Sequence, residues 1–172
     1  MIIRDATAAD LQAITAIYAH HVLHGTGSFE EEPPAEAEMA GRIAKVQDAG
    51  SAWLVAETDG RVAGYGYYSQ FRDRSAYRFT AEDSIYVRED VRGQGVGKAL
   101  VAALVERAEK QGFRQMIAVI GDSENTGSIG LHLSLGFRQV GVLRAAGLKF
   151  GRWLDVVQMQ RALGAGEKAP PD

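Results

Sequence analysis

The segment from Arg92 to Lys98, Arg-Gly-Gln-Gly-Val-Gly-Lys, has the residue types and spacing best suited to chemistry. Its glycines let the backbone approach a ligand closely, and free N–H groups at the start of a following helix favour an anion. A pyrophosphate is the natural guest of such a turn. A plain strand-to-helix turn would use the same glycines without any ligand, so this alternative stays open.

Two familiar nucleotide motifs fit this segment poorly. A dinucleotide-binding fingerprint would have glycine at the position of Arg92. A P-loop would have serine or threonine after its lysine, whereas Ala99 follows Lys98 and offers no hydroxyl to magnesium. The segment therefore predicts an anion site of another kind.

Other common chemistries are excluded or unsupported by the composition. The chain has no cysteine, so it has neither disulfides nor a cysteine nucleophile. His20, His21 and His24 lack a defensible metal-site spacing and are interpreted as helix-end residues, so no metal is expected. A net charge of -3 argues against nucleic acid as the main partner.

Hydrophobic periodicity predicts the elements that position these residues. We expect one domain over residues 1–163 and a flexible C-terminal tail over 164–172. The N-terminus is too polar for a signal peptide and no apolar run approaches ~20 residues, so a cytoplasmic protein without a membrane partner is expected. The element order is βαα, βββ, αβα and ββ. Strands are predicted at 2–3, 54–56, 62–68, 84–87, 116–120, 139–143 and 153–160, and helices at 7–23, from 33–34, from the glycine-rich turn to Gly112, and at 125–135.

The pattern Arg92-x-x-Gly95-x-Gly97 after a strand resembles the acyl-CoA signature of the GCN5-related N-acetyltransferase (GNAT) superfamily. Asn125 and the pair Gly136-Phe137 hold the matching downstream places. The segments 80–87, 130–132 and 147–155 resemble the phosphinothricin and methionine sulfoximine acetyltransferase branch, and the resemblance covers nearly the whole chain.

This resemblance implies an α/β protein with the GNAT fold, a mixed and mostly antiparallel central sheet flanked by helices. It also implies transfer of an acetyl group from acetyl-CoA to the α-amino group of a small amino-acid-like acceptor, of the phosphinothricin, methionine sulfoximine or sulfone type or an ordinary amino acid. Homodimers are usual in the branch, so a dimer is expected.

The resemblance also assigns an acetyl-CoA site. Strand backbone at residues 85–87 would bind the pantetheine arm, the glycine-rich turn would bind the pyrophosphate, and two polar residues near the next helix would complete the site. Each residue also has an ordinary role in a strand, a turn or a helix cap. The full set is Ile85, Tyr86, Val87, Arg92, Gly93, Gln94, Gly95, Val96, Gly97, Lys98, Asn125 and Ser134.

Two residues are the catalytic candidates within this resemblance. Glu82 matches the glutamate assigned as base in the branch, and an amine attacks a thioester only after losing a proton. His132 stands where the wider superfamily has a tyrosine, although the narrower branch carries histidine. It could protonate the leaving thiolate, assist the base or simply pack within the fold. An ordinary surface glutamate is the alternative for Glu82.

The acceptor would bind beside Glu82. The polar loop before it contains arginines, whose forked guanidinium groups pair well with a carboxylate or phosphinate. Lys149, Phe150 and Trp153 would close the pocket or form a dimer interface. The predicted acceptor residues are Arg72, Asp73, Arg74, Tyr77, Glu82, Asp83, Ser84, Phe29 and Glu30.

Two other functions stay open on the sequence. One is acetylation of a protein N-terminus or of another amine such as a polyamine or aminoglycoside, although a cationic acceptor would want more carboxylates in the loop. The other is a non-catalytic acyl-CoA sensor.

Overall fold

A computed structural model describes residues 1–171 of the chain. The predicted order of elements is confirmed, with three short 3-10 turns added at 8–10, 75–77 and 89–91. The strands are β1 (Ile2–Asp5), β2 (Trp53–Thr58), β3 (Arg61–Gln70), β4 (Thr80–Val87), β5 (Gln115–Gly121), β6 (Arg138–Lys149) and β7 (Arg152–Ala162). The helices are α1 (Leu11–His24), α2 (Glu36–Asp48), α3 (Val96–Lys110) and α4 (Thr126–Ser134).

The seven strands form one sheet in the order β1-β2-β3-β4-β5-β7-β6. Every neighbouring pair is antiparallel except β4 and β5, which run parallel. Apolar residues of α3 pack on one face of the sheet, and those of α1 and α2 pack on the other. The predicted fold class, a mostly antiparallel sheet flanked by helices, is confirmed.

The parallel pairing of β4 with β5 is short. It runs from Thr80 opposite Gln115 to Asp83 opposite Ala118, after which the two strands part. Because successive side chains on a strand point to opposite faces, Asp83 and Ile85 lie on the α3 face, whereas Glu82 lies on the α1 and α2 face. The alternation therefore separates Glu82 from its neighbour Asp83.

Several boundaries differ from the prediction. β4 begins at Thr80 rather than Ser84. Its first residues include two adjacent acidic residues, which are uncommon in strands and obscure the alternation of polar and apolar positions. β6 extends to Lys149 through a bulge around Ala145, whose φ of 49° interrupts the register. α2 begins at Glu36, two residues beyond the prolines, with Ala35 as its N-cap.

The C-terminal segment after β7 begins with a turn. Leu163 is buried and its N–H donates to the carbonyl of Arg114, while Gly166 N–H donates to the carbonyl of Leu163. The flexibility expected of 164–172 stays a prediction, and Asp172 lies outside the described residues. Within residues 1–171, none of the helices combines the length and apolarity needed to cross a membrane.

Candidate active site

A cavity of about 850 Å³ lies where β4 and β5 part. Its walls come from the outer edge of β4, the glycine-rich turn, the first residues of α4 and the loop that follows α1. We call this cavity the slot. The closed end of the slot is at Asp83 and Ala118, where strand pairing stops.

The edge of β4 that faces the slot carries free backbone groups. Arg88 N–H donates to the carbonyl of Ala63 on β3, so by alternation the peptide groups of Ile85 and Val87 point away from β3. His21 Nε2 lies 2.8 Å from the Val87 carbonyl oxygen. Burial lowers the pKa of His21, which favours a neutral ring that donates from Nε2. The remaining edge groups can pair with amides of an extended ligand.

The glycine-rich turn has the backbone geometry of an anion cradle. Gly93 and Gly95 have φ angles of 76° and 83°, which L side chains rarely adopt, and Gly95 is the N-cap of α3. A Cβ on Gly97 would come within 2.7 Å of Leu131 Cδ1, so this glycine allows α3 and α4 to approach closely. The first N–H groups of α3, which have no partner within the helix, thus border the slot.

The residues predicted to contact the cofactor line the slot, with one exception. Within the described chain, Gln94 is not among the lining residues. Asn125 Oδ1 caps α4 by accepting from Ser128 N–H at 3.2 Å, and the Arg92 guanidinium pairs with Glu89 at 3.0 Å. The lining members of the predicted set are Ile85, Tyr86, Val87, Arg92, Gly93, Gly95, Val96, Gly97, Lys98, Asn125 and Ser134.

Asp83 and His132 form a buried pair that also lines the slot. Their side chains are 1% and 2% exposed, and His132 Nε2 lies 3.0 Å from Asp83 Oδ2. His132 Nδ1 faces the Ser128 carbonyl at 2.8 Å, so Nδ1 must carry a proton. A second proton must then lie between Nε2 and the carboxylate. The pair is electrically neutral and already holds both protons.

The electrostatics of the pair agree with this geometry. Burial alone would lower the pKa of His132, but the hydrogen bond and charge of Asp83 and the Ser128 carbonyl outweigh it and raise that pKa. Asp83 Oδ1 is buried and has no hydrogen-bond partner among the described residues. A bound ligand with an N–H group would satisfy that oxygen.

Glu82 lies on the other face of β4, beside the closed end of the slot. Its side chain is 28% exposed, and its Oε2 is 3.6 Å from the Arg72 guanidinium. Burial raises the pKa of Glu82 and the charge of Asp83 adds to this, whereas the charge of Arg72 opposes it. A carboxyl group tuned upward in this way is suited to accept a proton near neutral pH.

The remaining predicted acceptor residues lie in different environments. Asp73, Arg74 and Tyr77 are exposed on the loop before β4, and Tyr77 packs edge-on against Phe71. Glu30 is held by a bidentate pair with Arg42, at 2.7 and 2.8 Å, and by the Tyr18 hydroxyl. Its carboxylate is therefore committed within the protein. Ser84 lines the slot, and Phe29 lies against the ends of β5 and β6.

Comparison with known proteins decides the family. The profile of the acetyltransferase (GNAT) domain matches residues 3–158. The chain belongs to the GNAT acetyltransferase family. A phosphinothricin N-acetyltransferase from Alcaligenes faecalis is 58% identical over 163 residues, which make up 95% of this chain and 83% of that protein. An L-methionine sulfoximine/L-methionine sulfone acetyltransferase from Pseudomonas aeruginosa is 41% identical over 172 residues, covering 98% of both chains.

Structural similarity supports the same assignment. A GNAT superfamily phosphinothricin acetyltransferase from Sinorhizobium meliloti, solved in complex with AcCoA, superposes with a TM-score of 0.97 at 51% identity. The match covers 99% of this chain and 92% of that one. This GNAT acetyltransferase therefore uses acetyl-CoA as its cosubstrate, and the open β4 edge and glycine turn of the slot fit its amides and pyrophosphate.

One functional candidate in this GNAT acetyltransferase was missed by sequence reasoning, and another was expected in a different role. Asp122 lines the slot in a strained backbone conformation, with a φ of 74°, and accepts hydrogen bonds from Thr26 and Arg152. Lys149 was expected to close the pocket or a dimer interface, but it is only 2% exposed and is bonded within the chain. A lysine inside the apolar run 147–150 was the sequence signal for this burial.

Within residues 1–171, no cluster of three or more His, Asp or Glu side chains could hold a metal ion.

Proposed function

We propose that this GNAT acetyltransferase acetylates the α-amino group of a small amino-acid-like acceptor, with Glu82 as the general base. The acceptor would be phosphinothricin, methionine sulfoximine or sulfone, or an ordinary amino acid. The observation that carries the proposal is the partly buried Glu82 carboxylate, which pairs with Arg72 and directly precedes Asp83, the residue at the closed end of the slot.

The base role follows from the state of the acceptor amine. Acetyl-CoA supplies an acyl group activated as a thioester, and only a neutral amine can displace the thiol. An amino acid enters as an ammonium ion, so a protein group must first take its proton. Glu82 is mostly shielded from water and has a raised pKa, which makes it a better proton acceptor than an exposed glutamate.

The proton inventory of the buried pair argues against His132 as that base. Both ring nitrogens of His132 already face acceptors, the Ser128 carbonyl and the Asp83 carboxylate. An imidazole in this state has no free lone pair to take another proton. Because its N–H groups also face these acceptors, His132 would give to a departing thiolate the proton that it shares with Asp83, and we assign that role to it within the proposal.

The charge of the loop before β4 favours an anionic acceptor. Residues 71–78 contain three arginines and one aspartate, and Arg72 is the arginine closest to the base. An α-carboxylate or phosphinate would pair with such a loop, whereas a polyamine or aminoglycoside would be repelled. The named activities of the two relatives concern acceptors of this anionic, amino-acid-like kind.

A homodimer is part of the proposal. The hairpin of β6 and β7 presents large apolar side chains to solvent, including Leu148, Phe150 and Trp153, which are 56%, 57% and 66% exposed. Patches of this kind mark interfaces more often than solvent-facing surface. Sedimentation equilibrium measures the mass in solution, and a monomer at micromolar concentration would contradict this part of the proposal.

The function is tested by measuring thiol release from acetyl-CoA with a panel of amines. The panel contains phosphinothricin, methionine sulfoximine, methionine sulfone, free amino acids, a polyamine, an aminoglycoside and a peptide with a free N-terminus. Turnover with the amino-acid-like members alone is expected. Preference for a cationic amine or peptide would refute the acceptor assignment, and acetyl-CoA binding without any turnover would indicate a sensor.

A further inference from the structure

The loop between α1 and α2 is held by a buried charge. Lys149, the last residue of β6, is 2% exposed, and its Nζ donates to the carbonyl oxygens of Gly25 and Ser28 at 2.9 and 2.7 Å. The two carbonyls lie three residues apart in a segment without helix or strand. One ammonium group therefore closes both ends of this short segment, which we call the 25–29 loop.

A buried lysine is rare because removing an ammonium group from water is costly. Burial lowers the pKa of Lys149, and the charges of Glu31 and Glu30 oppose this effect. The Nζ atom also lies 5.0 Å from the centre of the Phe150 ring, which stabilises a cation. Two carbonyl oxygens, an aromatic ring and nearby carboxylates thus surround the Lys149 ammonium group. Their arrangement indicates that this buried charge has a structural role.

Further contacts hold the same loop against the strand ends. The Thr26 hydroxyl donates to Asp122 Oδ2 at 2.7 Å. The Phe29 ring occupies a space that a Cβ on either Gly121 or Gly147 would enter. The loop is therefore fixed at its start by a carboxylate, at its end by an aromatic ring, and at both ends by Lys149.

The position of the loop gives these contacts a functional meaning. Gly25, Thr26 and Gly27 line the slot, while Ser28 leads directly into Phe29 and Glu30. We infer that Lys149 is a positioning residue that makes the 25–29 loop a single rigid wall shared by the acetyl-CoA slot and the acceptor side. The acceptor half of this inference rests on the proposed function, whereas the rigidity of the loop does not.

The test compares two substitutions of Lys149. Lys149→Met keeps the length of the side chain but removes every N–H donor, whereas Lys149→Gln keeps two donors without the charge. Hydrogen exchange of the 25–29 amides and the KM of each substrate are measured for both variants. Lys45→Met, which removes an exposed lysine near the end of α2, is the control for loss of charge alone.

In Lys149→Met we expect faster exchange confined to the 25–29 loop, and a KM for the acceptor raised about tenfold, the scale of losing a charged hydrogen bond. The KM for acetyl-CoA should change less, because the glycine turn and β4 edge also hold that substrate. Lys149→Gln should recover much of both losses. Exchange in Lys149→Met that stays at the wild-type level, or that rises across the whole domain, would overturn the inference, as would equal defects in the two variants. If the wild-type enzyme acetylated no amino acid, the proposed function would fail while the exchange measurement still decided the role of Lys149.

Discussion

Removing the carboxylate of Asp83 should destabilise the protein in a pH-dependent manner. The Asp83 and His132 side chains are almost fully buried and 3.0 Å apart, so solvent screening contributes little to the pair. Breaking such a pair typically costs about 3 to 5 kcal/mol, and we take about 3 kcal/mol for Asp83→Ala because His132 can lose its extra proton. For a chain of this length that corresponds to a fall in Tm of roughly 6 to 12 °C.

The sign of the pH dependence follows from the raised pKa of His132. The folded state binds the proton more tightly than the unfolded chain, so the stability from the pair is fully present below about pH 6.5. It is lost as the pH rises through the raised pKa of the folded state. The Tm difference between wild type and Asp83→Ala should therefore be largest near pH 6 and should narrow toward pH 9.

Thermal unfolding followed by circular dichroism at several pH values measures this difference. Asp83→Asn is the matched control, because an asparagine amide can donate to the neutral Nε2 of His132 while Nδ1 keeps its bond to Ser128. It should lose less stability than the alanine variant at every pH. A difference between wild type and Asp83→Ala that is constant or widens from pH 6 to 9 would show that the pair does not hold the extra proton.

Three further outcomes are expected. Glu82→Gln should lower kcat roughly 10²- to 10⁴-fold, while the affinity for acetyl-CoA measured by calorimetry stays nearly unchanged. The kcat should recover partly at alkaline pH. Near-normal turnover at neutral pH would mean that another group is the base. Arg72→Met removes the charge that lowers the pKa of Glu82, so the acid limb of the pH profile of kcat/KM should move to higher pH; movement to lower pH would contradict the pairing. Gly147→Ala should displace Phe29 and raise the KM for the acceptor about tenfold. Gly141→Ala on the same strand should not, because a Cβ on Gly141 would make only ordinary van der Waals contact. Equal effects of the two substitutions would contradict a specific role for Phe29.

The order of elements and the glycine-rich turn could be predicted because their signals are local. Glycine at a strand-to-helix junction needs only its own backbone freedom, and Gly95 does adopt a left-handed conformation. Hydrophobic periodicity likewise predicted the helix after this turn, and α3 buries one face that includes Leu100 and Leu104. Strand ends were less predictable, since the bulge at Ala145 breaks alternation within β6.

Much of the candidate site depends on contacts between residues far apart in the chain. Lys149 bonds to carbonyls more than 120 positions earlier, and His21 bonds to the backbone of Val87. Backbone acceptors leave no trace in the sequence, so neither contact has a motif. The commitment of Glu30 to Arg42 was equally hidden, because a salt bridge between a loop and a helix follows no fixed spacing. The division of Glu82 and Asp83 between two faces, in contrast, follows directly once β4 is known to be a strand.

That division has a consequence for redesigning the enzyme. Changes on the Glu82 face, or in the exposed loop before it, leave the side chains that meet His132 untouched, since adjacent positions of β4 belong to different layers of the fold. If residues 71–78 bind the acceptor, as proposed above, libraries confined to them can explore new acceptors without disturbing the cosubstrate slot. Substitutions at Asp83 would instead destabilise the protein, so most variants would be lost before any change in acceptor preference could be observed. In directed evolution, the Glu82 face of β4 can thus be varied, whereas the Asp83 face is constrained by the stability of the fold.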